Sequence, residues 1–466
     1  MKYAKVNLDI VNKLKKIVGD EGVITDSFDM EPYSHDETPG LKSFPEVVVK
    51  PKTKDEVAKL LSLSNQEGIP LTPRGGGTGV AGGAVPIFGG IVLSMERMNK
   101  ILEIDISNSM TVVQPGVING NLQRELKNYE LFYPVNPASL DSCTIGGNVA
   151  NSSSGSNAVK YGGTKNYVCG LETVLPSGEV IRAGGKLVKN ATDYRMVQLL
   201  LGSEGTLGVI TEVTLQVIPL PPVKVDLIVP LSEITPIAEI VKEVMGKKII
   251  PTSIEYMDSE TVRITKNYLK DSPFLPESSH YLLIEVDGSR KEEVDKDYQT
   301  IGEICLNRGA EDVLVVEDSG AQGKLWKFRQ SIRDALVSFS PTMIEGDIVV
   351  PRGKITFFLQ QVRDVLKKYS LSAGIFGHLG DGNVHINILK GKTEDEKWKV
   401  ITSKAVEELF NGAISLGGKI SGEHGIGLIK KPYLPLIVSE AELNLMRKIK
   451  RVFDPKNVLN PGKIFD

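Results

Sequence analysis

The stretch PEVVVKPKTKDEVAKLLSLSNQEGIPLTPRGGGTG, residues 45–79, decides how the first part of this chain folds. Val47–Val49 are consecutive β-branched residues and predict a short buried strand. Thr53 has the spacing of a helix-capping residue, apolar residues then recur at helical intervals, and Gly68 is expected to end the helix. Residues 69–72 predict a second strand. The stretch therefore predicts strand, helix, strand and then a glycine loop.

Residues 77–82 read GTGVAG and formally match the Gly-x-Gly-x-x-Gly motif of dinucleotide-binding domains. In a Rossmann fold this motif opens directly into a helix whose N-terminus meets the pyrophosphate. Here Pro86, Gly89 and Gly90 follow, and the segment GAVPIFGGIVLSM cannot form that helix. We therefore expect no NAD-type Rossmann site.

Three loops share a composition of glycine, serine, threonine and asparagine: PRGGGTGVAGG (73–83), SCTIGGNVANSSSGSN (142–157) and GSEGTLGVI (202–210). Glycine lacks a Cβ atom, so several backbone N–H groups can converge on one anion. A flexible surface turn explains any single loop equally well. Three such loops, each beside a predicted strand, favour a long phosphate-bearing ligand.

These loops, at these separations, resemble the FAD-binding domain of the vanillyl-alcohol oxidase superfamily. The resemblance implies two α+β subdomains with FAD between them. Because the first loop has no histidine for a covalent link, it also implies non-covalent FAD. The implied cofactor-binding residues are Arg74, Gly75, Gly76, Gly77, Thr78 and Gly79 for the pyrophosphate, Ser139, Thr144, Gly146, Gly147 and Asn148 around the flavin, and Gly202, Glu204, Gly205, Thr206 and Ile210 towards the nucleotide.

The second half of the chain contains GHLGDGNVHIN, residues 377–387, in which a Gly-Asp-Gly turn separates two strand-like arms. If the hairpin is centred between Asp381 and Gly382, His378 lies directly opposite His385. Asn387 follows two residues later and faces the same side. The sequence therefore predicts that two of the five histidines meet on one face of a hairpin.

A further segment, SGEHGIG (421–427), places Glu423 and His424 between glycines. Two imidazoles and one carboxylate are a common ligand set for a divalent ion such as Fe, Zn or Mn. The alternative is that the hairpin histidines only hydrogen-bond to backbone carbonyls. The combination favours a metal site.

The segment KLWKFRQSIRDAL (324–336) places Arg329 and Arg333 four residues apart, on one face of a predicted helix. A guanidinium group suits a carboxylate ligand because two donors meet two oxygens. For either arginine alone, a solvated helix face is an equally good interpretation.

The histidine and arginine motifs resemble one branch of the superfamily, the FAD-linked D-lactate, glycolate and D-2-hydroxyglutarate dehydrogenases, along nearly the whole chain. The resemblance implies oxidation of a small 2-hydroxy acid to the 2-keto acid by hydride transfer to flavin, with D-lactate or glycolate preferred. It assigns His378, His385 and Glu423 as metal ligands, and His424, Arg329, Asn387 and Arg333 as catalytic residues. Arg333 stands where relatives acting on a dicarboxylate carry a smaller polar residue, which argues against D-2-hydroxyglutarate. A D-2-hydroxyglutarate dehydrogenase is therefore an alternative rather than the preferred interpretation. A metal-dependent hydrolase is another, although it leaves the glycine loops without a role.

The composition of the chain limits the classes of partner that it is expected to bind. The net charge of −3 offers no basic surface for nucleic acid. The N-terminal segment and the later sequence contain no long apolar run, which predicts a cytoplasmic protein without membrane insertion. Three scattered cysteines are too few for an iron–sulfur cluster held by this chain alone. We therefore expect a separate electron-accepting protein, such as an electron-transfer flavoprotein or an iron–sulfur subunit.

The predicted fold class is α+β. The predicted organisation is a two-subdomain FAD-binding domain of the vanillyl-alcohol oxidase type (residues 1–220), an α+β substrate or cap domain (221–420), and a C-terminal segment (421–466) that returns to the FAD domain. The first boundary is placed at the proline-rich IPLPPVK, residues 218–224.

Overall fold

The computed structural model describes residues 3–273, 275 and 278–465. A four-stranded sheet comes first, and its middle strands run parallel. Two helices, Leu8–Val18 and Lys54–Glu67, bury their apolar residues against this sheet. In spatial order its strands are Val23–Ile24, Val47–Val49, Ile91–Ser94 and Leu71–Arg74.

The opening stretch folds largely as its sequence predicts. Val47–Val49 is a fully buried strand, and the helix that follows ends at Gly68 in a left-handed conformation. The second strand is Leu71–Arg74, two residues later than predicted. No helix lies between that strand and Ile91–Ser94, as the proline and glycines of this segment predict.

An antiparallel five-stranded sheet forms the second subdomain. Helices Asn119–Lys127, Ile145–Asn151 and Met196–Leu200 contribute to its core, and a short strand pair, Leu131–Phe132 with Ile218–Pro219, lies beside it. In spatial order the strands of the sheet are Ile101–Asp105, Met110–Val113, Val209–Gln216, Val168–Val174 and Val180–Gly184.

The second half of the chain is built on a large antiparallel sheet of seven strands. Four helices cover one face: Pro236–Gly246, Lys291–Asn307, Ile355–Tyr369 and Asp395–Ser415. Three helices cover part of the other face: Ser259–Tyr268, Ser319–Gln330 and Ile332–Phe339. In spatial order the strands are Leu314–Val316, Val223–Leu231, His280–Gly288, Ser253–Asp258, Ser372–His378, Asn383–Leu389 and Met343–Val349.

The large sheet buries a neutral histidine, His280. Its Nε2 lies 2.6 Å from the guanidinium of Arg363, and its Nδ1 lies 2.8 Å from the hydroxyl of Tyr256. Because a guanidinium only donates hydrogen bonds, Nε2 must accept, so the proton is on Nδ1. Burial and the neighbouring Arg363 lower the pKa of His280 to about 4.

The C-terminal segment lies against the first half of the chain. The backbone of Leu71 exchanges hydrogen bonds with Val458 and Asn460, at 2.8 and 2.7 Å. In helix Glu440–Phe453, the buried Lys450 donates a hydrogen bond from Nζ to the carbonyl oxygen of Thr206 at 2.8 Å. The domain limits at residues 220 and 420 stay predictions. No helix in the described part of the chain has the length and apolar character needed to cross a bilayer.

Candidate active site

One cavity of about 570 Å³ lies between the three glycine loops and the face of the large sheet. A second cavity of about 410 Å³ shares Arg74, Gly75, Gly76 and Thr144 with the first, so the glycine loop borders both. Most residues that the sequence predicted for the site line the larger cavity. They are Arg74, Gly75, Gly76, Gly77, Thr78, Gly79, Ser139, Thr144, Gly146, Gly147, Asn148, Glu204, Gly205, Ile210, Arg329, Arg333, His378, His385, Asn387, Glu423 and His424.

The first glycine loop packs directly onto the second. A Cβ atom at Gly75 would lie 2.3 Å from Thr144 Oγ1, and one at Gly76 would lie 2.3 Å from the carbonyl oxygen of Ser142. Thr144 in turn caps helix Ile145–Asn151 through the amide of Gly147, at 3.3 Å. Only glycine fits at these contacts, so the two loops can pack directly against each other in the wall of the cavity.

Arg74 makes structural contacts with the N-terminal segment that the sequence analysis did not predict. Its Nη1 donates to the carbonyl of His35 at 2.7 Å, and its Nη2 donates to that of Pro32 at 2.9 Å. The guanidinium group therefore ties the N-terminal segment to the glycine loop. The contact of Arg74 with a pyrophosphate stays a prediction.

Two predicted cofactor residues, Gly202 and Thr206, are not among the residues that line the cavity. Gly202 adopts a positive φ of 72° in a turn, and Thr206 Oγ1 donates to Ser203 O at 2.7 Å. The neighbouring Glu204 lines the cavity, but its carboxylate accepts hydrogen bonds from the amides of Ile426 and Gly427, at 2.7 and 2.8 Å. It therefore anchors the C-terminal segment beside the site.

The predicted meeting of His378 and His385 is confirmed, but the predicted register is wrong. The residue directly opposite His385 is Phe376, so the hairpin is centred between Gly380 and Asp381, one residue earlier than expected. The two histidines are therefore diagonal neighbours on the same face. Their ring centroids lie 5.3 Å apart, with the ring planes nearly perpendicular.

His378 lies between two carboxylates. Its Nδ1 is 2.7 Å from Oε1 of Glu255, and its Nε2 is 3.3 Å from Oε1 of Glu423. Burial by itself would lower the pKa of His378, but Glu255 and then Glu423 outweigh burial and hold it well above its usual value. Nδ1 is thus held by Glu255, and Nε2 faces Glu423, another predicted metal ligand.

His385 and His424 complete the cluster. Nε2 of His385 lies 3.5 Å from Oε1 of Glu423. Burial, reinforced by the two neighbouring histidines, lowers the pKa of His385 to about 3. The rings of His385 and His424 are stacked, with centroids 5.2 Å apart. One nitrogen each from His378 and His385 and one oxygen from Glu423 lie within 4.8 Å of one another, as metal ligands require.

The segment that carries Glu423 and His424 is shaped by Asp347, which the sequence did not single out. This fully buried carboxylate accepts hydrogen bonds through Oδ2 from the amides of Gly422, Glu423 and His424, at 3.0, 3.1 and 2.9 Å. Lys430 Nζ lies 3.1 Å from the same oxygen. Burial would raise the pKa of Asp347, but Lys430 and the neighbouring histidines hold it well below its usual value.

Arg329 and Arg333 belong to separate helices, Ser319–Gln330 and Ile332–Phe339, that meet at Ser331. The predicted single helix is therefore wrong, although both arginines still reach the cavity. Arg329 is 5% exposed, its guanidinium lies over the ring of Phe376, and Nη2 is 2.6 Å from Oε2 of Glu255. Its Nε is buried and has no hydrogen-bond partner among the described residues.

Arg333 is already engaged. Its Nε lies 3.0 Å from Oε1 of Glu345, and its terminal nitrogens reach the carboxylate and the carbonyl of Glu37 at 3.3 and 2.5 Å. Asn387 is 3% exposed on strand Asn383–Leu389 and lies directly opposite Glu345 on the neighbouring strand. Of the two arginines, Arg329 is the one with a free buried donor.

Comparison with known proteins places these motifs in a family. Residues 45–184 match the FAD binding domain family, and residues 220–464 match the C-terminal domain family of FAD linked oxidases. The chain is 38% identical to glycolate oxidase subunit GlcD of Bacillus subtilis (strain 168), covering 99% of this chain and 97% of that protein. It is 36% identical to a D-lactate dehydrogenase of Anaerostipes hadrus, covering 99% and 98%.

A more distant relative is a D-2-hydroxyglutarate dehydrogenase of Stutzerimonas stutzeri (strain A1501), with 31% identity over 98% of both chains. Among solved structures, p-cresol methylhydroxylase with substrate bound superposes with a TM-score of 0.78 at 20% identity, covering 98% of this chain and 96% of that one. An alkyldihydroxyacetonephosphate synthase superposes with a TM-score of 0.77 at 20% identity, covering 99% and 86%. At this level of identity, the superpositions establish the fold alone.

Proposed function

Because the chain belongs to the FAD-linked 2-hydroxy-acid dehydrogenase family, we propose that it oxidises D-lactate or glycolate to the 2-keto acid. The observation that carries this proposal is the buried Arg329, whose Nε lacks a partner among the described residues and which borders the same cavity as His424. A buried guanidinium with a free donor suits a carboxylate ligand. His424 lies in the same cavity and can act as a base towards the 2-hydroxyl group of the bound acid.

The residues of the cavity fit the two cofactors that this chemistry requires, FAD and a divalent ion. Side chains at Gly75 or Gly76 would push the first glycine loop off the second, and we propose that the two packed loops cradle FAD without a covalent bond. His378, His385 and Glu423 would hold a divalent ion, Fe, Zn or Mn. When bound, FAD supplies a two-electron acceptor and the ion supplies a Lewis acid.

The side chains divide the remaining work. Arg329 binds the substrate carboxylate and fixes its orientation. Nδ1 of His424 lies 3.9 Å from Oδ2 of Asp347, which leaves Nε2 as the ring nitrogen that accepts the hydroxyl proton. The negative charge of Asp347 stabilises the imidazolium that forms. Asn387 supports the substrate from the buried sheet face.

Arg333 has a lesser role in this proposal. Its donors are engaged by Glu37 and Glu345, so it borders the site without a free fork for a second carboxylate. This favours a monocarboxylic acid. D-2-hydroxyglutarate is the second candidate because a D-2-hydroxyglutarate dehydrogenase matches 98% of this chain. We further propose a cytoplasmic location and a separate protein as electron acceptor, since three cysteines are too few for an iron–sulfur cluster of this chain's own.

The test is an anaerobic titration of the purified protein with D-lactate, L-lactate, glycolate and D-2-hydroxyglutarate, followed by flavin absorbance. D-lactate or glycolate should bleach the flavin, and a chelator should slow the bleaching. The variant His424→Asn should retain its flavin but lose the bleaching. A yellow protein whose flavin stays oxidised with all four acids would contradict the proposal, and a colourless protein would favour the hydrolase.

A further inference from the structure

Glu255 is a buried carboxylate that lies behind the site. It belongs to strand Ser253–Asp258, is 0% exposed, and is not among the residues that line the cavity. In the sheet it lies directly opposite His378 on the neighbouring strand. It therefore cannot touch a ligand, and it acts only through its neighbours.

Its two oxygens face two different functional groups. Oε1 is 2.7 Å from Nδ1 of His378, and Oε2 is 2.6 Å from Nη2 of Arg329. One carboxylate thus contacts both a proposed metal ligand and the proposed substrate clamp. A buried charge without partners costs several kcal/mol, and these two contacts provide the compensation.

We propose that Glu255 is a positioning residue that fixes the ring orientation of His378 for metal binding and, at the same time, the guanidinium of Arg329 for substrate. By accepting a hydrogen bond from Nδ1–H of His378, it leaves the lone pair of Nε2 facing Glu423 and His385. A carboxylate behind a ligating histidine raises the basicity of the ligand and selects this tautomer. This inference rests on the proposed function and adds a coupling between its metal site and its acid site.

The substitution Glu255→Gln tests this because an amide offers one acceptor and one donor where the carboxylate offers two acceptors. The amide oxygen is expected to face Arg329, since a guanidinium can only donate. The amide nitrogen then donates to Nδ1 of His378, which moves the imidazole proton to Nε2. That proton points to the place where the ion must bind. Removing such an outer partner weakens metal binding by about 10–100-fold.

The measurement is the Zn²⁺ affinity of the metal-free, FAD-loaded protein, in competition with a chromophoric chelator. The matched control is Glu345→Gln, which removes another buried carboxylate from the same sheet face, one that pairs with Arg333 instead of a histidine. We expect Glu255→Gln to bind Zn²⁺ about 10–100-fold more weakly, with unchanged flavin content. Glu345→Gln should bind Zn²⁺ as the wild type does.

Activity then distinguishes positioning from a general structural effect. Saturating Zn²⁺ should restore most of the flavin bleaching by the preferred acid in Glu255→Gln, whereas a damaged fold would not recover. If Glu255→Gln does not fold, Glu255→Asp takes its place, because the shorter side chain keeps the charge but cannot reach both partners. Equal Zn²⁺ affinities in the wild type and the folded variant would overturn the inference, as would an equal loss in Glu345→Gln.

The failures of this inference and of the proposed function are separable. A wild type that is bleached by a 2-hydroxy acid but binds no Zn²⁺ would overturn the role of Glu255 alone. A wild type whose Zn²⁺ affinity depends on Glu255, but whose flavin no 2-hydroxy acid reduces, would support the positioning role and overturn the proposed substrate.

Discussion

Replacing Asp347 by asparagine should unfold the protein more readily and disorder the segment that carries His424. The carboxylate of Asp347 accepts three backbone hydrogen bonds from residues 422–424 and pairs with Lys430, which is 4% exposed. Its other oxygen accepts from Asn383 Nδ2 at 2.8 Å. The amide of Asp347→Asn can present oxygen to one side only, and it carries no charge for Lys430.

The expected magnitude follows from burial. Breaking a buried ion pair by removing one partner costs about 3–5 kcal/mol, because the remaining charge has no compensation. In a domain of roughly 150–250 residues, each kcal/mol lowers the melting temperature by about 2–4 °C, so Asp347→Asn should lower Tm by about 6–20 °C. Flavin bleaching by the substrate should fall in parallel, because Glu423 and His424 lose their backbone support.

The assay is a double-mutant cycle by urea unfolding, with Asp347→Asn, Lys430→Met and the double variant. The double variant should be more stable than the sum of the single losses predicts, by at least about 1 kcal/mol, because it leaves no unpaired buried cation. Asp312→Asn removes an exposed carboxylate and should change stability little. Strictly additive losses, or a loss for Asp347→Asn no larger than for Asp312→Asn, would refute the reasoning.

Three further predictions concern the clamp, the cradle and the pH dependence of stability. Arg329→Lys loses the two-donor fork and should raise the KM for the acid by roughly 10–100-fold without changing the flavin content, and steady-state kinetics that show an unchanged KM would contradict the clamp. Gly76→Ala places a methyl group 2.3 Å from the carbonyl oxygen of Ser142 and should weaken FAD binding by about 10–100-fold. The control Gly246→Ala, with nothing within 4 Å, should keep its flavin absorbance, and equal flavin contents would contradict the cradle. His280 has a folded pKa of about 4, so its contribution to stability is fully present above the unfolded pKa of about 6.5 and is lost as pH falls towards 4, by up to about 3 kcal/mol. Urea unfolding of the wild type and His280→Gln should therefore converge in stability as pH falls from about 7 to 5, and parallel profiles would be inconsistent with a buried neutral imidazole.

The glycine loops could be predicted from the sequence because their requirement is local. Gly75 and Gly76 stand in one run, and the steric reason for glycine there is the close approach of a single neighbouring loop. The meeting of His378 and His385 was predictable for a similar reason, since a short turn joins their strands. The register was wrong because the connection occupies residues 379–382, so its centre lies one residue before the assumed centre between Asp381 and Gly382.

Glu255 and Asp347 could not be assigned from the sequence because their partners are distant along the chain. Glu255 meets His378 across 123 positions, and Asp347 meets the amide of His424 across 77. Each is an acidic residue in a strand that is otherwise mostly apolar, which is the only signal in the sequence. Such a residue is compatible with an exposed edge as much as with a buried ion pair, and only the sheet order decides between them.

The proposed function assigns cofactor binding and acid chemistry to two different kinds of structure. The proposed FAD cradle consists of loops that pack closely enough to exclude a side chain at Gly76. The opposite wall consists of charged side chains on strands, where Glu255 and Asp347 hold the functional groups from behind. A substitution in one wall should therefore leave the other intact: Gly76→Ala should lose flavin but keep the Zn²⁺ affinity, and Glu255→Gln should do the reverse. If both variants lost both properties together, the two walls would have to form a single cooperative unit instead.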